Sequence, residues 1–186
     1  MTENVTIAAI DIGTTKICTV VGRKLGPRGL EILGHSTVPC TGLQKGTVSS
    51  VAITEAAVRE SVRKVESSTG HSVDSAYIGV TGSDLTFENS QDRLPTAGKL
   101  GVITTDDLLE VPSSLNHQVE PGRKMIHAIR MSYSLDGKAG IRNPIGMHSR
   151  EVDVDTHVVT GKTSVINKLV TAVGNADVEI DELVLE

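Results

Sequence analysis

The chain has 186 residues, a formal net charge of -5, no tryptophan and only 2% aromatic residues. This length suits one domain or two small ones, and 38% hydrophobic residues is the composition of a folded protein whose core is built from Val, Ile, Leu and Ala. The acidic balance and the scarcity of stacking side chains argue against nucleic acid as a partner. The start "MTEN" lacks the positive charge of a signal peptide, and no apolar run approaches the roughly 18 residues of a membrane span, so we expect a soluble cytoplasmic protein.

The first predicted elements are three short strands separated by tight turns. Val5–Ile10 and Ile17–Val21 are apolar runs joined by the turn that follows Asp11. Leu30–Val38 is a third strand candidate, which stops at Pro39 because proline interrupts strand pairing. The chain is therefore expected to begin as a three-stranded meander.

A helix and a further strand follow this meander. Valines recur at helical spacing within residues 51–69, and Gly70 stands where a C-terminal cap belongs. Ser75–Gly82 is then typical of a buried strand that ends in a glycine turn. The predicted order is strand, strand, strand, helix, strand, which is an α/β pattern.

The character of the sequence changes after Gly82, where it becomes polar and weakly periodic. Thr104, with Asp107 three residues later, predicts a helix start, and Pro112 is expected to end that helix early. Met125–Asp136 predicts a strand, and a turn-rich stretch comes after it. We interpret this region as a second module.

The run "EVDVDTHVV" alternates between apolar and polar residues, as a half-buried strand does. Its valines at 152, 154 and 158 are expected on one face, and the opposite face would carry Glu151, Asp153, Asp155 and His157. Three carboxylates and a histidine could bind a metal, but the same alternation marks any solvated strand face, which is the interpretation we prefer. Cys18 and Cys40 lack partners at metal-ligand spacing and are read as idle or buried thiols.

The C-terminal part returns to plain α/β signals. Apolar residues within 166–173 form a helical stripe that Gly174 would close, and Val178–Leu185 predicts a last strand. We expect this strand to belong to a sheet that is incomplete in this chain and that exposes apolar edges.

The turn after the first strand contains residue types that could form a phosphate-binding loop. Backbone N–H groups in a tight turn at Gly13, Thr14 and Thr15 can converge on an anion, and the hydroxyls and Lys16 would add donors. Asp11 is placed to hold a hydrated Mg²⁺ against the same phosphates. The pattern is neither of the common nucleotide-binding motifs, since a strand and not a helix follows it. Taken alone, these residues fit a plain hairpin turn as well.

Four stretches together resemble FtsA, a family of bacterial cell-division actin homologues. They are "AIDIGTTKICTVVG", "GLQKGTVSSV", "AYIGVTGS" and "LDGKAGIRNPIGM", spread over nearly the whole chain. The resemblance implies an actin-like (RNase H-like) α/β subdomain, incomplete here, with a small inserted α+β module of the SHS2 type. It further implies that residues 1–82 are the first part of subdomain 1A, residues 83–160 are subdomain 1C, and residues 161–186 return to subdomain 1A.

The same resemblance implies a scaffold protein of the septal ring, which polymerises and recruits later division proteins. Such a protein is not an enzyme, beyond nucleotide binding or a weak ATPase activity. In the family, ATP and Mg²⁺ are held by the first phosphate loop, here Asp11 and residues 13–16, together with further loops that would lie beyond Glu186. We therefore expect this chain to hold no nucleotide tightly.

The resemblance also suggests where partners would bind. The complete protein would lie at the cytoplasmic face of the membrane at the division site, tethered by a C-terminal amphipathic helix outside this sequence. Residues 83–160 would dock division proteins and contribute to filament contacts, and an acidic strand face there would suit a basic partner segment. The alternatives are a fragment of a phosphotransferase such as a sugar kinase, or of a pilus-assembly protein, from the same superfamily.

Overall fold

The computed structural model describes residues 5–26, 29–94, 101–109 and 119–185. It divides the chain into two units, which we call the split unit (residues 1–84 and 162–186) and the inserted unit (residues 85–161). The described elements are β1 (Thr6–Ile12), β2 (Lys16–Leu25), β3 (Gly29–Pro39), β4 (Leu43–Gln44), β5 (Thr47–Val48), α1 (Val51–Thr69), β6 (Ser75–Val80), β7 (Leu85–Arg93), α2 (Thr105–Leu109), β8 (Arg123–Leu135), β9 (Lys138–Ile141), β10 (Val152–Lys162), α3 (Thr163–Asn175) and β11 (Glu179–Leu185).

The split unit contains a five-stranded sheet in the order β11–β6–β1–β2–β3. The first three strands form the predicted meander, with β1–β2 and β2–β3 antiparallel. β6 is parallel to β1, and β11 is parallel to β6. The α/β class is confirmed, as is the order predicted for the N-terminal half, three strands, a helix and a strand, except that the short β4–β5 hairpin before α1 was not predicted.

Both helices of the split unit cover the same face of this sheet. The Ser61 hydroxyl of α1 lies 2.7 Å from Thr19 Oγ1 and 2.7 Å from Ser36 Oγ, which projects from β3. Ile166 of α3 lines a small cavity together with Ile12 of β1. The residues of β1 and β2 that point to this face are therefore the buried ones, and the opposite face has no helix among the described residues.

The ends of the helices follow local chemistry. Ser50 caps the start of α1, where its side chain accepts a hydrogen bond from the Ile53 N–H, and Gly70 ends the helix at φ 72° as predicted. The predicted closure of α3 at Gly174 is wrong by two residues, since Gly174 lies inside the helix and Ala176 is its cap. The helix continues to Asn175 because the left-handed position that stops it is occupied by Asp177, at φ 63°.

The two edges of the sheet differ in character. β11 is the predicted last strand and forms one edge, and its exposed positions include Glu179, Asp181 and Glu182. At the opposite edge, Leu30 and Ile32 of β3 are 55% and 56% exposed. The register of β3 against β2 shifts beside these residues, and such a bulge makes an edge a poorer template for pairing.

The inserted unit is a four-stranded sheet in the order β7–β10–β8–β9. Its buried cluster consists of Leu94, Ile103, Leu108, Tyr133, Leu135, Val152 and Val154. The predicted burial of the alternating valines in β10 is confirmed. So is the start of α2, because the Thr104 N–H donates to Asp107 Oδ2 (2.8 Å) and the Asp107 N–H donates to Thr104 Oγ1 (3.3 Å). Pro112 lies outside the described residues.

The β4–β5 hairpin turns through two residues with positive φ, Lys45 (50°) and Gly46 (76°). Such a pair forms the turn that matches the twist of a two-residue hairpin. A Cβ atom on Gly46 would lie only 2.8 Å from the Cα of Gly82. Glycine is therefore required at 46 both by the backbone conformation and by the close approach of a second backbone.

We predict that Gly46→Ala destabilises the protein more than Gly70→Ala. Both variants place alanine in the left-handed region, at about 1 to 2 kcal/mol each. A Cβ at Gly70 meets open space, whereas at Gly46 the overlap with Gly82 adds a further ~1 to 3 kcal/mol. Urea unfolding of the two variants measures the difference, and equal losses would show that the hairpin moves away from residue 82 at little cost.

Candidate functional site

The turn between β1 and β2 is closed by one short-range backbone hydrogen bond. The Gly13 N–H donates to the Lys16 carbonyl at 3.0 Å. A Cβ on Gly13 would lie 3.0 Å from that same carbonyl oxygen, so a larger residue would require this oxygen to move by a few tenths of an ångström. Thr14, Thr15 and Lys16 are all exposed. The two hydroxyls and the ammonium group of the predicted loop therefore face solvent together.

A second hydrogen bond fixes the orientation of this turn. The Cys40 N–H, just beyond β3, donates to the Thr15 carbonyl at 3.0 Å. Since the peptide bond is trans, the Lys16 N–H points in the opposite direction to that carbonyl, away from Cys40. This contact was not predictable from the sequence, because only the fold brings residue 40 beside residue 15.

Asp11 lies on the sheet face that the helices leave open. Its neighbours Ile10 and Ile12 are buried towards the helices, so alternation places the half-buried Asp11 on the other face. It pairs with Cys18 of β2, and the register of β6 places Gly79, which has no side chain, beside it. Asp11 Oδ1 is 3.9 Å from the position that a Cβ on Gly13 would take, so the carboxylate borders the turn.

The structure thus brings the predicted site residues together in one turn, with a carboxylate on one flank and donors at the tip. This arrangement suits an anion with a hydrated divalent cation between it and Asp11. The arrangement is one-sided, because the groups described around the turn belong to β1, β2 and the segment that begins at Cys40. The assignment of Asp11, Gly13, Thr14, Thr15 and Lys16 to phosphate and Mg²⁺ remains a prediction.

The acidic strand face of the inserted unit is already paired within the sheet. Arg93 of β7 donates from Nη1 to Glu151 Oε1 and from Nε to Asp153 Oδ1, each at 3.0 Å. The hydrogen bond to Asp153 and the charge of Glu151 raise the pKa of Arg93. Asp155 accepts hydrogen bonds from the Gln91 amide (2.9 Å) and the Ser132 hydroxyl (2.7 Å).

His157, the fourth residue of this face, is also engaged. Its Nδ1 lies 2.7 Å from Asn89 Oδ1, and its ring stacks on Phe87 with centroids 6.0 Å apart. The placement of these four residues opposite the buried valines is confirmed, but cross-strand partners from β7 and β8 already contact them, and docking of a basic segment there stays a prediction. Within the described ranges, no group of three or more His, Cys, Asp or Glu residues could hold a metal ion.

Asp136 organises the other end of this sheet. It sits at φ 46° in the Asp136–Gly137 turn between β8 and β9. Its Oδ1 accepts the backbone N–H groups of Glu151 and Arg150, each at 3.0 Å. These two donors, that of Glu151 first, lower the pKa of Asp136. The carboxylate therefore ties the β8–β9 turn to the start of β10 when it is ionised.

We predict an acid-sensitive contribution from Asp136. Its pKa is lower in the folded protein than in the unfolded chain, so the stabilisation is present above the unfolded value of about 4 and is lost as the pH falls through the folded value. Asp136→Asn keeps a residue that tolerates positive φ but removes the charge. Urea unfolding between about pH 7 and pH 3 should show the variant less stable at neutral pH and converging on the parent in acid. Parallel curves would contradict this role.

No helix within the described residues is long and apolar enough to cross a membrane. Comparison with known protein families matches residues 82–160 to the SHS2 domain inserted in FTSA. Comparison with solved structures finds a likeness to the PilM–PilN type IV pilus biogenesis complex, with a TM-score of 0.59, 9% identity and coverage of 98% of this chain and 48% of that chain. At this identity the likeness shows an actin-like fold and nothing about activity.

Curated relatives extend the similarity over nearly the whole chain. It is 30% identical over 180 residues to "Cell division protein FtsA" of Borreliella burgdorferi, covering 96% of this chain and 44% of the relative. It is 23% identical over 184 residues to the protein of that name in Escherichia coli, covering 98% of this chain and 43% of the relative. This chain thus spans less than half the length of these relatives.

Proposed function

We propose that this chain, as a homologue of the cell division protein FtsA that carries the SHS2 domain of that family, acts in bacterial cell division. It would do so as part of an actin-like scaffold. The scaffold would polymerise and recruit later division proteins at the cytoplasmic face of the membrane. The match of residues 82–160 to the inserted SHS2 domain is the observation that carries this proposal. The chain itself would not be an enzyme, beyond a share in nucleotide binding or weak ATPase activity of a longer protein.

The alternatives from the same superfamily have weaker support. A sugar kinase would need a carboxylate base beside a bound hydroxyl group. Among the described residues, Asp11 is the carboxylate that borders the turn, and our proposal assigns it to Mg²⁺ and not to the role of a base. A pilus-assembly role rests on a fold likeness at 9% identity. The match to the inserted SHS2 domain favours a role in cell division over both a sugar kinase and a pilus-assembly protein. A coupled assay for ATP hydrolysis with and without a panel of hexoses tests this choice, and sugar-stimulated turnover would favour the kinase.

The first phosphate loop is the part of the nucleotide site for which this chain offers residues. The hydroxyls of Thr14 and Thr15, the ammonium of Lys16 and the backbone of Gly13 would contact the phosphates, and Asp11 would hold Mg²⁺ through water. Their one-sided arrangement supports contact with one side of a phosphate chain. In a longer homologue the bound nucleotide would then need further contacts from the rest of the protein.

We predict that this chain alone binds ATP with Mg²⁺ no more tightly than a dissociation constant of about 1 mM, which corresponds to about -4 kcal/mol. Isothermal titration calorimetry measures it. A micromolar constant would overturn the prediction and would mean that one turn suffices.

In a longer protein that contains this chain, Asp11→Ala should abolish the Mg²⁺ dependence of ATP binding and leave the fold intact. Asp74→Ala is the matched control, because Asp74 is an exposed aspartate that precedes β6 in the same unit. The control should keep the Mg²⁺ dependence of the parent. Retained dependence in Asp11→Ala would make Asp11 an ordinary strand residue.

We propose that division partners dock on the inserted unit. With its acids paired internally, the exposed apolar residues of β8 are better candidates for contact, since Ile129 is 47% and Met131 is 62% exposed and the two lie two residues apart on one strand. A pull-down with the whole chain as bait should capture a later division protein. The double change Ile129→Ser and Met131→Ser should weaken capture at least about tenfold, as loss of contact residues does.

Val170→Ser is the control for this experiment, because Val170 is 37% exposed on α3 of the split unit. It should leave capture unchanged. If the β8 double variant still captures the partner and Val170→Ser does not, the docking surface lies on the split unit and this proposal is wrong.

A further inference from the structure

One short segment contacts both the turn between β1 and β2 and the place where the chain leaves the split unit. We call that turn, residues 13–16, the phosphate turn, after the role proposed for it. We call residues 40–48 the bridge segment. At its first residue, the Cys40 N–H donates to the Thr15 carbonyl at the tip of the turn (3.0 Å). A displacement of the bridge segment therefore pulls directly on the turn.

The middle of the bridge segment is held against the start of α1. The Gly42 carbonyl accepts the N–H groups of Ser49 (2.9 Å) and Ser50 (3.0 Å). A Cβ on Gly42 would lie 2.4 Å from Thr54 Oγ1, so the backbone there is packed directly on the helix. Such close packing transmits a displacement instead of absorbing it.

The far end of the bridge segment meets the end of β6 and Asp84. Gly46 packs on the backbone of Gly82, and Thr47 Oγ1 donates to Asp84 Oδ2 at 3.3 Å. The other carboxylate oxygen of Asp84 lies 2.5 Å from Lys162 Nζ. Asp84 is thus contacted from the bridge segment on one side and from Lys162 on the other.

Asp84 and Lys162 mark the two points where the chain leaves and re-enters the split unit. The last paired residues of β7 and β10 are Leu85 and Gly161, so Asp84 and Lys162 occupy the next opposing positions. Opposite charges at opposing positions of two strands stabilise the pairing. We call these two residues the crossing pair.

The hairpin within the bridge segment holds a disfavoured conformation. Lys45 is a non-glycine residue at φ 50°, which is uncommon outside turns and persists where its surroundings enforce it. The contacts of Gly46 with residue 82 and of Thr47 with residue 84 supply that enforcement. Loss of these contacts would remove this support from the turn.

We propose that the bridge segment couples the phosphate turn to the crossing pair, so that an anion held in the turn and the ordered crossing pair stabilise each other. The identity of the anion rests on the proposed function, whereas the mechanical link rests on the contacts above. Because such coupling is reciprocal, a change at the crossing pair must alter the stability of the turn.

Amide hydrogen exchange on the full chain, without nucleotide, tests this link. Asp84→Asn removes the charge that holds Lys162. We expect the amides of Gly13 and Cys40, which report the two hydrogen bonds of the turn, to exchange at least about fivefold faster, the lower end of usual coupling between sites. The control Glu60→Gln breaks the Lys64–Glu60 pair on α1 (2.7 Å) and should leave both amides unchanged.

Faster exchange at Leu85 with unchanged exchange at Gly13 and Cys40 would overturn the proposal. If the exchange of α1 amides such as that of Val58 also accelerates, Asp84→Asn has destabilised the whole split unit. The milder variant Thr47→Val then tests the coupling. That variant should accelerate the turn amides selectively, and an unchanged turn overturns the link. Because no nucleotide is present, a failure of ATP binding would count against the proposed function and not against this coupling.

Discussion

The placement of α1 and α3 on one face of the five-stranded sheet is the constraint on which the rest of the split unit depends. It buries Ile10, Ile12 and Ile17 beneath the helices and, by alternation, puts Asp11 on the open face. A one-residue slip of β1 would invert this arrangement and bury the carboxylate. The candidate site is therefore a consequence of core packing.

A buried polar contact fixes how α1 sits on that face. Ser61, Thr19 and Ser36 are at most 7% exposed, and the Ser61 hydroxyl lies within hydrogen-bond distance of the hydroxyls of both other residues. An unsatisfied hydroxyl there would cost about 1 to 3 kcal/mol. Sliding the helix along the sheet would break these bonds, so they select one position where apolar packing alone would tolerate several.

Sequence reasoning succeeded where the determining interactions are local. The meander, α1 with its Gly70 cap, the capping box at Thr104 and the alternation in β10 depend on residues a few positions apart. The resemblance to FtsA came from short motifs that the comparisons then supported over nearly the whole chain.

The failures concern contacts between distant residues. The partners of the β10 acids were not predicted because Arg93 lies 58 residues from Glu151 in sequence, and only the β7–β10 ladder brings them together. The Cys40 amide became relevant to the turn in the same way. The end of α3 is a separate, local failure, because Gly174 was expected to cap the helix whereas Asp177, three residues later, adopts the left-handed conformation.

The side-by-side position of Leu85 and Gly161 has a consequence for how such a chain can vary. The chain leaves the split unit after Asp84 and returns at Lys162, and a two-residue hairpin turn could also join two such neighbouring positions. Lengthening a loop whose ends are already adjacent costs the host fold little conformational entropy. The host sheet could therefore exchange the whole of residues 85–161 for another module, or for a simple turn, while its own strand order stays the same.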